Sequence, residues 1–331
     1  MHIDEICNKL HIRKEEYTDL HIIRGFSSFA AISNKKIIAM TDPWMKYCPL
    51  FTMLYNRIEK EDIAAIKNRI REALEEKIEK FGSYTSRREL KREDIAVPYG
   101  ASEIMMYALR KRGIDAAVVV CDGAGTVICD EPSLVQGIGA RMNGLFYTTP
   151  IQDVIKGIEK QNGIVVFPDN GTIDQISGLK KAAEKGYTRI AVTINGFSDD
   201  DLTSIPEIER EYGITVFILI VCTTGITEDR ADQIAHYADL IWSCASGTVR
   251  ERIGRISVLQ ISRGIPVFVL TRKGLDFVSY YASDPARIRD LDLAKQYIIA
   301  GKIEGIPITM GTMSPCIAES VLPVRSPIEP K

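Results

Sequence analysis

The sequence predicts an α/β protein with a largely parallel sheet covered by helices on both faces, Rossmann-like, plus a small β-rich N-terminal region. Three observations carry this. Several short runs, such as Ile114–Cys121 and Ile214–Val221, are apolar throughout, as strands buried on both faces are. Amphipathic stretches of helical period separate them. Glycines at 113, 186 and 213 stand where those stretches end, the usual place for a left-handed helix stop.

The chain divides into a β-rich region at 1–57, a charged helix and linker at 58–96, an α/β core at 97–283 and a wrapping tail at 284–331. In the first, FAAISNKKIIAM (29–40) reads as two short strands around an Asn34-Lys35 turn. In the second, Ile63, Ile66, Ile70, Leu74 and Ile78 recur at steps of three and four, giving a helix over 58–81 with one packed stripe and a solvated face. SRRELKRED (86–94) follows as a charged linker.

The core opens with a helix at 101–112 and a strand at 114–121. A loop and helix occupy 131–161, interrupted by GIGARMNG (137–144). Then strands at 164–167, 188–194, 214–221, 239–243 and 265–270 alternate with helices at 172–185, 199–212, 227–237, from near 246, and at 274–282. SPIEPK in the tail reads as a loosely ordered end.

Six strand ends carry short polar residues and glycine before a helix begins: CDGAGT (121–126), FPDNGT (167–172), TINGFS (193–198), CTTGIT (222–227), CASGTV (244–249) and LTRKG (270–274). In a parallel sheet such ends share one edge, where ligands bind and helix N-termini favour an anion. Asp122, Gly123, Gly125, Thr126, Arg141, Asn170, Asn195, Thr223, Thr224, Ser246 and Arg250 are the candidate contacts. CDGAGT is no dinucleotide fingerprint, because the third glycine position falls on Ile128, and no phosphate-binding GxxxxGK[ST] loop occurs. A hairpin stays open there, since Asp122-Gly123 is a good turn pair and TVIC can return as a strand.

Cys121, Cys222 and Cys244 each fall at a predicted strand end, and Cys48 lies in a loop able to cover that edge. Such thiolates can hold zinc or an iron–sulfur cluster, or include a nucleophile made acidic by a helix N-terminus. They can equally be small buried hydrophobes. No CxxC pair occurs, and none of the four histidines lies in a strand-end loop. Seven cysteines, an odd number, argue against a disulfide framework and for the cytoplasm. A net charge of −2 argues against a nucleic-acid footprint, which shows clustered excess Lys and Arg. No apolar run approaches the roughly 20 residues of a membrane span, and the N-terminus lacks a signal-peptide pattern.

YCPLF (47–51), FGSYTSR (81–87), YGASEI (99–104), VCDGAGTVI (120–128), VQGIGARMNGLFYTTPI (135–151), CTTGI (222–226), CASGTVRE (244–251) and IPVFVLT (265–271) together resemble the methanogenesis marker protein 8 family, a domain family of unknown function. The resemblance implies a cytoplasmic archaeal protein linked to methane metabolism and brings no catalytic residues.

Three readings follow. The first is a methanogenesis accessory protein that binds an anionic cofactor or metal centre at the strand ends. An iron–sulfur cluster or a nickel tetrapyrrole is among the candidates, and a methanogenesis enzyme complex or a second copy of the chain among the partners. The second is an enzyme acting on a small phosphorylated or carboxylated metabolite. The third is a scaffold that docks a partner through the charged helix.

Overall fold

A computed structural model describes residues 2–45, 62–142 and 144–325. Two sheets organise it. The smaller has the order β3-β2-β1-β6, with β1 at His21–Gly25, β2 at Ser28–Ser33, β3 at Lys36–Met40 and β6 at Gly144–Thr148. The β2–β3 turn places Asn34 and Lys35 at φ 49° and 65°. Two successive left-handed residues are what a two-residue hairpin of matching twist requires.

Helix α1 (Ile3–Leu10) packs Ile6, Cys7 and Leu10 with Leu20, Ile22, Phe29 and Ala31 of the small sheet. Helix α2 (Ile63–Phe81) packs Ile66, Ile70, Leu74 and Ile78 with Ile23, Ala30 and Ile32. Alternation along the strands sends neighbouring side chains to opposite helices. Asp62 caps α2 by accepting from the Ala64 amide at 3.0 Å, so the helix starts later than the periodicity implies; 58–61 lie outside the described residues.

The larger sheet has the order β14-β15-β13-β11-β12-β10-β9-β8-β4-β5-β7. Its centre is parallel: β4 (Ala116–Cys121), β8 (Arg189–Asn195), β9 (Thr215–Val221) and β10 (Leu240–Trp242). One further parallel pair joins β11 (Leu259–Ile261) to β13 (Tyr297–Ala300). Every other neighbouring pair among the described residues is antiparallel. The sheet is therefore mixed and mostly antiparallel, which corrects the expectation of a largely parallel, Rossmann-like one.

The cause is connection length. A parallel neighbour needs a crossover of a dozen residues or more. The three-residue link from β4 to β5 (Gly125–Cys129) is too short and gives a hairpin. Residues 262–266 likewise return β12 (Val267–Val269) antiparallel to β11. At the other edge β7 (Ile164–Val165) pairs antiparallel with β5. In the tail, β14 (Ile306–Pro307) and β15 (Cys316–Glu319) extend the sheet beyond β13.

Helices cover both faces of this sheet. On one lie α3 (Ala101–Arg110), α4 (Pro132–Gly139), α5 (Gln152–Glu159) and α9 (Arg272–Ser279). On the other lie α6 (Gln175–Glu184), α7 (Ile205–Tyr212) and α8 (Glu228–Tyr237), beside a π-helical turn at Val249–Ile253. The short helix α10 (Ala286–Arg289) follows. No helix of the described residues is long and apolar enough to cross a membrane.

Candidate functional site

The parallel strands β4, β8, β9 and β10 all end at one edge, and a cavity of about 220 Å³ lies there. It is bounded by Val119 and Val120 of β4, Thr193 and Asn195 of β8, Val221 at the end of β9 with Cys222 just after it, and Trp242 at the end of β10 with Cys244 two residues on. The first turn of α3 (Gly100 to Glu103) forms another wall, as do Lys77 of α2, Arg141 and Met142, and Gly144 and Leu145 of β6. The small sheet thus closes the edge that the large sheet leaves open. An engineered apolar cavity of roughly 150 Å³ admits benzene, so this one has room for a small metabolite.

Its electrostatics are set by three features. The first is the N-terminus of α3, which presents free amides and the positive dipole end. Gly100 stands at its cap with no side-chain cap bond, and a Cβ there would lie 2.1 Å from Glu103 Oε2. Trp242 Nε1 donates to the Tyr99 carbonyl at 2.8 Å, tying β10 to the start of the helix.

The second is Lys77, whose side chain is buried although it belongs to a helix rich in exposed charge. Its Nζ donates to the Arg141 carbonyl at 2.7 Å. Burial, reinforced by the charges of Arg141 and Arg88, pushes its amine down to about 7. The third is Arg141, which adopts φ 61°, stacks its guanidinium 4.7 Å from the Phe81 ring centre and keeps its Nε buried without a hydrogen-bond partner. Against these stands Glu103, whose carboxylate accepts from the Ala96 and Val97 amides, Ser102 Oγ and Gln136 Nε2.

Of the sequence-selected residues, Arg141, Asn195, Cys222 and Cys244 line the cavity. Cys222 (φ 59°) and Cys244 (φ 48°) are left-handed, like Arg141. Non-glycine residues bear this conformation at a cost of order 1 kcal/mol, and such strain gathers at functional sites.

The remaining candidates build the surrounding loops. Residues 122–124 form the β4–β5 turn: Ala124 N donates to Cys121 O at 3.1 Å, and Gly123 has φ 80°. That is the left-handed φ a type II turn reserves for its third residue. Gly125, at φ 72°, lies so close to the Gly171 carbonyl that a Cβ would come within 2.3 Å.

Asp122 is a buried anion paired with Arg88 (Nε to Oδ1, 2.9 Å), and its Oδ2 accepts from the Tyr84 amide at 2.6 Å. Burial alone would raise its carboxyl, but Arg88 holds it below the usual range. Thr126 Oγ1 bonds Gln175, and Asn170 Oδ1 accepts from Thr172. Thr223 Oγ1 donates to the Trp242 carbonyl at 2.6 Å, and Thr224 Oγ1 accepts from Ala245 N. Ser246 Oγ caps the Val249 amide, while Arg250 Nη2 braces the Cys244 carbonyl at 2.9 Å.

The thiols divide. Cys222 and Cys244 are partly exposed in the cavity, whereas Cys121 is fully buried with its Sγ toward the Asp122 carbonyl. Burial and then the charge of Asp122 push that thiol well above its ordinary range. Among the described residues no three His, Cys, Asp or Glu side chains come together to hold a metal ion, and Cys48 lies outside the described residues. A cluster held by Cys121, Cys222 and Cys244 does not fit this donor set, and a tetrapyrrole macrocycle exceeds the cavity.

Sequence reasoning missed Lys77, Gly100, Glu103 and Trp242. Lys77 had a visible signal: it falls on the stripe through Ile63, Ile66, Ile70 and Leu74, where an apolar residue belongs. Gly100 and Glu103 lie within YGASEI, which carries the family resemblance.

The chain belongs to the family described as "Uncharacterized protein conserved in archaea (DUF2099)", whose model matches residues 21–282. It is similar to "Uncharacterized protein MJ0054" of Methanocaldococcus jannaschii, with 37% identity over 268 residues that cover 80% of this chain and 92% of that protein. Neither description carries the methanogenesis marker name that the segment resemblance suggested.

Proposed function

We propose that this archaeal protein binds a small anionic metabolite or cofactor in the strand-end cavity. The observation that carries the reading is the convergence of Lys77, Arg141 and the α3 N-terminus on one apolar-walled space at the ends of parallel strands. An apolar cavity with a few convergent polar groups is the usual form of a small-molecule site. The buried Arg141 Nε lacks a partner, and a ligand carboxylate or phosphate would satisfy it.

We place the protein in methane metabolism, as an accessory factor acting beside a methanogenesis enzyme complex in the cytoplasm. Support comes from the eight matching segments and from a similar protein in a methanogen. An enzyme acting on the same anionic metabolite uses the same site and stands as the second reading, favoured by the two partly exposed thiols in the cavity.

Calorimetric titration with a panel of small carboxylates and phosphates tests binding. The proposal predicts at least one saturable ligand whose affinity falls by about 10- to 100-fold in Arg141→Met, the loss of one charge-assisted contact. A panel without any binder, or one bound equally by the variant, contradicts it.

A further inference from the structure

The buried amine of Lys77 has a use beyond charge. Its nitrogen donates to the backbone carbonyl of Arg141 at 2.7 Å, and Lys77 and Arg141 line the same cavity. A ligand carboxylate on that guanidinium would bring its own neighbouring atoms toward the amine. The cavity holds a small molecule and no more. The buried stripe of Ile66, Ile70, Leu74 and Ile78 carries a lysine at 77. Burial among cations leaves much of the amine unprotonated near neutrality, the state in which lysine attacks carbonyls.

We propose that Lys77 forms an imine with a small carbonyl compound bearing a carboxylate, a 2-oxo acid or a carboxyl-bearing aldehyde, with the carboxylate seated on Arg141. This rests on the reading that the cavity binds a small anion and gives that ligand a chemical class. The amine nitrogen bonds to the carbonyl carbon, and the carbon–oxygen bond breaks. The two nitrogen protons leave with that oxygen as water, giving a carbon–nitrogen double bond. No oxidant or reductant is needed. Cys222 and Cys244 share the space; a thiol adding to the same carbonyl would form a hemithioacetal instead, which hydride does not fix.

The test is reductive trapping. The full chain is incubated near pH 7 with glyoxylate, pyruvate or 2-oxoglutarate and cyanoborohydride, then digested and mapped by mass spectrometry. At least one of the acids should label Lys77 at least about tenfold faster than any exposed lysine, because far more of its amine is unprotonated. Lys77→Met and Lys77→Arg should abolish that label. Mapping on the wild-type chain stands even if a variant fails to fold. Labelling spread over exposed lysines, or absent with all three acids, overturns the proposal. Calorimetry with lactate, which carries the carboxylate but no carbonyl, separates the two claims. Lactate binding without any 2-oxo acid adduct on Lys77 would sink the imine and leave the anion site standing. If neither the oxo acids nor other anions bind, the site reading falls with it.

Discussion

Replacing Lys77 with methionine should change how stability depends on pH, and the structure sets the size. The amine falls from 10.5 to about 7 on folding. A difference of about 3.5 units at about 1.4 kcal/mol each is a penalty of about 5 kcal/mol for the protonated form. The sign follows from proton counts. Below about pH 7 both states hold the proton and the penalty is complete. Between about 7 and 10.5 the unfolded lysine stays protonated while the folded one does not, so stability rises with pH by up to about 1.4 kcal/mol per unit. Above that window the penalty is gone. The charges acting on the amine are Arg141 and Arg88 against it and Asp122 and Cys222 for it. None of these is removed in Lys77→Met. The variant gives up the hydrogen bond to Arg141, worth about 1 kcal/mol, so near pH 7 it should be more stable than the wild type by a few kcal/mol. Urea unfolding at successive pH values, taken as the difference between the two chains, cancels other titrating groups. A difference that does not shrink as pH rises from about 7 to 10 would refute the reasoning.

Three further predictions concern the frame around the cavity. Asp122→Asn strands the buried charge of Arg88 and should cost about 3–5 kcal/mol, a fall in Tm of about 10 °C by calorimetry; an unchanged Tm would mean the pair adds nothing. Gly125→Ala puts a methyl group against the Gly171 and Thr172 carbonyls at a left-handed position and should cost at least about 2 kcal/mol in urea unfolding. In native alkylation followed by peptide mapping, Cys222 and Cys244 should react well before Cys121 and Cys129, whose thiols burial pushes up; equal rates would place Cys121 at the surface.

The sequence made the central elements legible because their signals are local. Apolar runs marked β4, β8 and β9, and the glycines at 113, 186 and 213 stand just past α3, α6 and α7. The neighbours of the outer strands were not legible, since β11 meets β13 across 35 intervening residues that no local pattern records. The strand β6 begins on the last glycine of GIGARMNG, within the stretch 131–161 read as loop and helix, and its partner β1 lies more than 100 residues away. Five of the six strand-end loops named the right edge; LTRKG follows β12, which runs antiparallel to β10, and so lies at the opposite one. Most of their polar side chains satisfy nearby backbone: Thr223 takes the Trp242 carbonyl and Ser246 the Val249 amide. Short polar residues at turns do this by default. The cations of the cavity came instead from a helix read as solvated and from the loop that Arg141 begins.

The central claim is that a small anion occupies the cavity between the two sheets. Thiol protection tests it most directly, because Cys222 and Cys244 report on that space alone while Cys316 reports on the surface elsewhere. Alkylation rates are measured by mass spectrometry with and without saturating small carboxylates and phosphates. The account predicts that at least one anion slows both cavity thiols together, leaves Cys316 unchanged and loses its effect in Arg141→Met. Protection that no anion provides, or that survives the loss of Arg141, would contradict it.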